Sequence, residues 1–239
     1  DDNIKKVLPH IKCNVATYGK SEGSDYIPHN IFYNQMGFPS FDVYYRNENL
    51  GSFQLSIPGR HNIDNALAAI ACSHILGVPI DKLQQNLGIF KGTHRRFDIL
   101  GKVDTVTIID DYAHHPTEVK ATLEAAKRYP HNRLWCIFQP HTYTRTKALL
   151  NDFASSFHNA DAVIITDIYA AREKDSGEIH SRDLAEAITH YHDSVLYFSS
   201  FESIIDHVKK YIQPEDLIIT MGAGNIYEVG EMFLAKTKA

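Results

Sequence analysis

Asp110, Asp111, Tyr112, His114 and His115 put two carboxylates, a phenol and two imidazoles into six residues. A carboxylate in such a cluster can accept both hydroxyls of a ribose, and an imidazole can donate to a developing oxyanion or move a proton near neutral pH. An aspartate capping a helix beside solvated histidines is the plainer alternative, and the residue types alone leave both open. His141, Tyr143 and Arg145 form a second cluster. At a helix start Arg145 could clamp a carboxylate or phosphate with two parallel hydrogen bonds, or simply lie on the surface. Asp167, Tyr169, Arg172 and Glu173 make a third polar rim, with a solvated loop as the alternative.

Asn62 and Asn65 lie three apart at a helix start, and a carboxamide offers the donor and acceptor that match the edge of adenine, although N-capping is a competing role. Arg95 and Arg96 in "GTHRRF" fall where two domains would be joined, either to reach a bound nucleotide or as a basic linker. "MGAGN" lacks the full G-x-G-x-x-G of a dinucleotide loop and reads instead as a close approach of backbone.

The elements that must position these residues show two different periods. Up to residue 57 a short helix is followed by alternating segments, "NIFYNQ", "FDVYYRN" and "SFQLSI", which predict an antiparallel meander. "RHNIDNALAAIACSHILG" then sets Ile63, Leu67, Ile70, Ala71 and His74 on one helical face, closed by Gly77 and Pro79, and "IDKLQQNLGIF" predicts a second helix. Beyond "KGTHRRF" short apolar runs alternate with amphipathic helices: "TVTIID" with "PTEVKATLEAAKRY", "LWCIF" with "TRTKALLNDFASSF", "AVIIT" with "SRDLAEAITHY", "SVLYF" with "FESIIDHVKKYI", and "DLIIT" with "NIYEVGEMFLAK". That pattern predicts an α/β fold with a doubly wound, mostly parallel sheet, whose ligands bind at the carboxyl ends of its strands. "DDYAHHPTE", "QPHTYTR", "DIYAARE" and "MGAGN" all follow predicted strands, so the four loops are expected to share one rim. The glycine-flanked "GTHRRFDILGK" is a candidate hinge.

Composition narrows the function classes. With 24 basic and 29 acidic residues the formal charge is -5, which disfavours nucleic acid as a partner. No apolar run approaches the length of a membrane span and "DDNIKK" has no secretory core, so a cytoplasmic protein is expected, with no membrane partner. Cys13, Cys72 and Cys136 support neither a disulfide framework nor a zinc knuckle, and the 14 histidines include no H-E-x-x-H, so no dedicated metal site is expected. No G-x-x-x-x-G-K-[ST] stretch is present to cradle the outer phosphates of ATP.

Read in order from about Arg60, "GRHNIDNALAAIA", "FKGTHRRFD", "IDDYAHHPTEVKATLEAAK", "FQPHTYTRTKALL", "DIYAARE" and "MGAGNI" resemble the Mur ligase family. "DDYAHHPTE" together with "QPHTYTR" is the most specific part, and the region before Gly59 fits the later half of the family's central domain more loosely. The resemblance implies that residues 1–97 are the rear of a central ATP-binding domain without its P-loop part, and that residues 98–239 are a Rossmann-like C-terminal ligase domain. It implies ATP and Mg2+ as cofactors, with magnesium and phosphate held mostly by N-terminal domains of the same protein that lie outside this chain. It implies UDP-N-acetylmuramate and L-alanine as substrates, joined through an acyl phosphate in peptidoglycan synthesis, with the chain alone inactive. A tripeptide-adding muramate ligase of cell-wall recycling and a non-catalytic nucleotide-binding module are the alternatives. Residue by residue, Asn62 and Asn65 match the adenine-holding asparagines, Arg96 an arginine near the nucleotide, and Asp111 a residue that reaches ribose. Tyr112 and His114 match active-site residues, Arg145 lies on the substrate-carboxylate side, and His141 and Tyr169 join it as substrate-binding candidates. The match departs at Thr142, where the family often has arginine.

Overall fold

The computed structural model describes residues 2–21 and 23–235. Contacts divide the chain into two units: one comprises the chain up to Asn34 with Phe38–Ser56 and Arg60–Phe90, the other Gln35–Gly37, Ile57–Gly59 and the chain from Lys91 onward. Sequence reasoning sets the division after residue 97; the observed one falls after Phe90, because Arg95 and Phe97 are hydrogen-bonded to Asp110 and Asp111 of the second unit.

In the first unit, α1 (Asp2–Val7) and one 3-10 turn (Leu8–His10) precede β1 (Tyr26–Tyr33), β2 (Pro39–Tyr45) and β3 (Glu48–Gln54). These strands pair antiparallel in sequence order, the expected meander. Alternation sends Phe41 and Val43 of β2 inward, and Phe41 stacks on Phe53 of β3 with ring centres 6.3 Å apart. Helix α2 (His61–Ile75) buries Ile63, Ala66, Leu67, Ile70 and Ala71, a single stripe at helical spacing. His74 continues the stripe, and its Nδ1 meets the hydroxyl of the buried Tyr26 at 3.0 Å. Gly77, at φ 79°, ends the helix, and α3 (Ile80–Ile89) follows.

In the second unit, β4 (Asp98–Val103), β5 (Val106–Asp111), β6 (Leu134–Phe138), β7 (Ala162–Ile165), β8 (Val195–Tyr197) and β9 (Leu217–Met221) form one sheet in the order β4-β5-β9-β6-β7-β8. All pairings from β5 to β8 are parallel, and β4 alone runs antiparallel. Every residue of β5, β6 and β9 is buried, as strands covered on both faces require. Alternate residues feed two cores. Ile109, Cys136, Phe138, Ile165 and Ile219 pack with Val119 and Leu123 of α4 (Pro116–Arg128), Phe153 of α6 (Leu150–Ala154) and Leu184 of α7 (Ser181–Thr189). Ile108, Trp135, Ile137, Ile164 and Ile218 pack with Ile204 and Val208 of α8 (Phe201–Tyr211) and Val229 and Phe233 of α9 (Tyr227–Ala235). Each fully buried side chain of this size contributes roughly 1.5–3 kcal/mol.

Two local expectations are corrected. "DILGKV" is the edge strand β4 and not part of a hinge, since Asp98 to Val103 pair with β5. "TRTKALLNDFASSF" is two helices, α5 (Tyr143–Ala148) and α6, because Leu149 leaves helical geometry at φ -112°, ψ 21°. Within α5 the Thr146 hydroxyl donates to the Thr142 carbonyl at 2.7 Å, a bond of the kind that bends helices. Lys236, the last residue of the expected final helix, lies outside the described residues. Among the described residues no helix is long and apolar enough to cross a membrane.

Candidate active site

One row of the parallel sheet levels four loops. Asp111 pairs with Met221, Met221 with Phe138, and Phe138 with Ile165, so the segments after β5, β9, β6 and β7 all begin at the same height. The order of the strands reverses at β9, the position where open α/β sheets bind ligands.

A chain of rings crosses this edge. Tyr112 and His114 have centres 5.3 Å apart, His114 and His141 5.8 Å, and His141 and Tyr169 5.7 Å, the last pair stacked at 17°. Backbone holds the last two together: Tyr169 N–H donates to the Pro140 carbonyl at 2.8 Å and Thr142 N–H to the Tyr169 carbonyl at 2.9 Å. Arg145, one helical turn beyond, sets Nη1 3.1 Å from Nδ1 of His141. Burial, then Arg145 and then His114, hold the His141 imidazole below the ordinary histidine range, since each disfavours its charged form. Thr142 sits at φ 67°, a left-handed conformation that turns the chain into α5. The structure thus brings Tyr112, His114, His141, Arg145 and Tyr169 together, and the exposed Arg96 joins them with its guanidinium 5.3 Å from the Tyr112 ring.

Asp111 is nearly buried, 5% exposed, and each carboxylate oxygen already accepts a backbone amide at 2.8 Å, from Phe97 and from Ala113. Burial raises its pKa to about 6, against the lowering pull of those two amides and Arg96. Its neighbour Asp110 is fully enclosed. There Arg95 Nε donates from 2.9 Å and the Thr220 hydroxyl from 2.7 Å. The same guanidinium donates to the carbonyls of Gly224 at 3.0 Å and Gly222 at 2.7 Å and lies over Tyr112 and Tyr227. Arg95 is therefore an internal tie, whereas Arg96 faces outward.

The glycine loop is a close approach of backbone, as expected. A Cβ on Gly222, at φ 153°, would lie 2.7 Å from the Gln139 carbonyl oxygen; one on Gly224 would lie 2.3 Å from Gln139 Oε1 and 2.6 Å from the Tyr169 ring. Gln139, a residue whose type alone signals no chemistry, opens "QPHTYTR" directly after β6; its buried carboxamide donates to Asn225 at 3.1 Å and spaces the two loops.

Other candidates have local tasks. His115 caps α4, its Nδ1 accepting from Thr117 N–H at 3.3 Å. Asp167 accepts from the Tyr197 hydroxyl, Glu173 from the amide and hydroxyl of Thr144, and Arg172 is exposed. Tyr143 lines a shallow groove with Lys147, Glu173 and Ile179. In the first unit, Asn62 and Asn65 are inside α2; neither is its N-cap, which is Arg60, and Asn65 Nδ2 donates to Asn62 Oδ1 at 3.0 Å. No three His, Cys, Asp or Glu side chains gather to hold a metal ion among the described residues.

Comparison with known proteins bears on what this edge does. The family described as "Mur ligase, glutamate ligase domain" matches residues 95–224, and "Mur ligase middle domain" matches residues 1–73. The UDP-N-acetylmuramate–L-alanine ligase of Caldanaerobacter subterraneus subsp. tengcongensis is 54% identical over 238 residues, 100% of this chain and 52% of that protein. Its namesake in Alkaliphilus metalliredigens is 50% identical, over 99% of this chain and 51% of that protein. Among solved structures, the UDP-N-acetylmuramate-alanine ligase of Thermotoga maritima superposes with a TM-score of 0.79 over 93% of this chain and 48% of its own, at 24% identity, a likeness of fold. A murein peptide ligase of Psychrobacter arcticus gives 0.65 at 26% identity, over 92% of this chain and 46% of its own. The chain spans about half the length of the curated relatives it matches.

Proposed function

The chain belongs to the Mur ligase family, and on that premise we propose that the protein of which it is part is an ATP-dependent amide ligase joining L-alanine to UDP-N-acetylmuramate in peptidoglycan synthesis. The observation that carries the reading is the line of rings Tyr112, His114, His141 and Tyr169 with Arg145 at its end, on the ligand-binding edge of a parallel sheet. It supplies a cation for a carboxylate and imidazoles for a transferring proton, which are the groups an amino-acid nucleophile needs. The reaction passes the terminal phosphate of ATP to the muramoyl carboxylate; the alanine amine attacks the acyl phosphate, and phosphate is expelled to leave an amide. Negative charge develops at each step, so Arg96 and Arg145 serve as fixed cations.

Asn62 and Asn65 hold adenine through carboxamides already oriented by their mutual hydrogen bond. Asp111 serves the nucleotide side by fixing Phe97, next to Arg96, with lone pairs left for a ribose hydroxyl. Magnesium, the outer phosphates and the UDP-sugar are assigned to N-terminal domains of the same protein, since this chain carries no G-x-x-x-x-G-K-[ST] stretch to cradle the outer phosphates. A reaction on nucleotide-linked substrates goes with a cytoplasmic protein.

The test is to offer the full-length protein Mg-ATP, UDP-N-acetylmuramate and either L-alanine or a tripeptide, and to identify the product by mass. The alanine amide is expected, with kcat lowered at least about 100-fold by His114→Ala. Preference for the tripeptide, or no amide at all, would sink the assignment.

A further inference from the structure

His114 and His141 are neighbours whose Nδ1 atoms are committed to partners of opposite kind. Nδ1 of His114 lies 2.8 Å from the Tyr112 carbonyl and 3.4 Å from the Glu118 carboxylate, and both partners can only accept. A second bond, from the His114 backbone N–H to Glu118 at 2.9 Å, holds that carboxylate in place. Nδ1 of His114 must therefore carry a proton, and in the neutral ring its Nε2 is a bare acceptor. Nδ1 of His141 lies 3.1 Å from Nη1 of Arg145, which can only donate. Nδ1 of His141 is therefore bare, and its Nε2 carries the proton.

We propose that these adjacent imidazoles are locked in opposite tautomers, so that a ligand meets an acceptor on His114 and a donor on His141, and that His114 is the group that takes the proton of an incoming amine. A ligand with an ammonium and a carboxylate satisfies both: the ammonium donates to Nε2 of His114, and the carboxylate accepts from Nε2–H of His141 beside Arg145. This division of labour rests on the ligase reading above. In the step itself, one ammonium N–H bond breaks and the Nε2–H bond of His114 forms. The freed lone pair attacks the acyl carbon of the acyl phosphate; phosphate leaves with the electrons of the C–O bond and carries off the second of the three ammonium protons, so that the amide nitrogen keeps one. The resulting imidazolium is stabilised by the Tyr112 carbonyl and Glu118.

His141 cannot exchange roles with its neighbour. A second proton on its ring would point at the Arg145 guanidinium, and burial opposes the charge as well. The charged and titratable groups about the pair are Tyr112 with Arg95 and Arg96 over its ring, Glu118 of α4, Arg145 of α5, and Tyr169 and Glu173 after β7.

Long-range proton–nitrogen correlation spectra of the 15N-labelled chain, at a pH above histidine titration, read the tautomers directly. The proton is expected on Nδ1 in His114 and on Nε2 in His141. In the full-length protein, His114→Gln retains polarity but cannot bind a proton, so kcat should fall by about 100-fold or more with the alanine KM little changed. Its residual rate should climb about tenfold per pH unit as alanine itself supplies free amine. His141→Ala should raise the alanine KM about tenfold, and His141→Gln, which keeps an N–H donor, should recover most of that loss. The reverse tautomer at either ring, or an unaltered kcat in His114→Gln, overturns the inference and leaves the ligase reading standing. An unmodified protein that forms no alanine amide overturns the ligase reading, and the proton-transfer role with it, whichever tautomers are found.

Discussion

Arg95 and Asp110 form an ion pair, Nε to Oδ2 at 2.9 Å, in which the side chains are only 15% and 1% exposed. Water compensates these charges little, so the pair depends on the further partners packed around it. The carbonyls of Gly222 and Gly224 take the rest of the guanidinium, and the Thr220 hydroxyl takes the second carboxylate oxygen. One side chain thus ties the end of β5 to the loop after β9.

Removing Arg95 should therefore cost more than one contact. Arg95→Ala strands the Asp110 carboxylate and is expected to destabilise the fold by about 3–5 kcal/mol in urea unfolding. Arg95→Lys keeps the charge but cannot reach three acceptors at once, and should recover less than half of the loss. A cost below about 1 kcal/mol for the alanine variant, the scale of a surface pair, would show that the tie is not structural.

Asp111 titrates near pH 6 in the folded chain and near 3.8 when unfolded. The folded state therefore binds more protons between those values, and stability contributed by the protonated carboxyl is complete below about pH 4 and lost as pH rises through about 6. Each unit of separation is worth about 1.4 kcal/mol, so the loss is of order 3 kcal/mol. Asp111→Asn should abolish this slope. It should also lose about 1–3 kcal/mol at every pH, because one amide oxygen cannot serve both the Phe97 and Ala113 N–H groups. Calorimetric melts from pH 4 to 7 that run parallel for the two proteins would refute the burial argument.

Gly224→Ala forces a methyl against Gln139 Oε1 and the Tyr169 ring. Overpacking of that kind costs about 1–3 kcal/mol and should displace Tyr169 from His141. Adding Gln139→Ala opens part of the space, so the double variant should be more stable than the sum of the single changes. Strict additivity in thermal melts would mean that the two loops do not press on each other.

Asn65 is exposed, and among the described residues its side chain bonds to Asn62 alone. Asn65→Ala should leave the melting temperature within about 2 °C while weakening adenine nucleotide binding by the full-length protein about tenfold. Unchanged affinity by calorimetric titration would remove the asparagine pair from the nucleotide site.

Residue spacing made the parallel sheet and the meander legible, because both rest on hydrophobic period, which is a local property. The four polar loops were legible for the same reason: each follows an apolar run directly. What spacing could not reveal is which of two adjacent like residues turns inward. Arg95 and Arg96 are alike by type, yet one is an internal tie and the other faces outward, and that choice depends on Asp110 and on two carbonyls more than 120 residues further along. Asp111 shows the same limit, for its oxygens are taken by amides on either side of it in the fold. β4 escaped notice because "DILGKV" is half exposed and interrupted by Gly101, where its pairing shifts register. The break at Leu149 left no residue signal at all, there being neither proline nor glycine between Thr144 and Phe157.

The strand made last, β9, lies between β5 and β6, and those two do not touch without it. A growing polypeptide consequently carries an open slot through the middle of its sheet, with two rows of unpaired amides and carbonyls, until Met221 has left the ribosome. Both walls of that slot are buried in the finished protein, β6 being apolar throughout and β5 apolar up to Ile109 apart from Thr107. During synthesis they are the surfaces most in need of a chaperone, and a chain cut short before Leu217 would forfeit two strand interfaces at once.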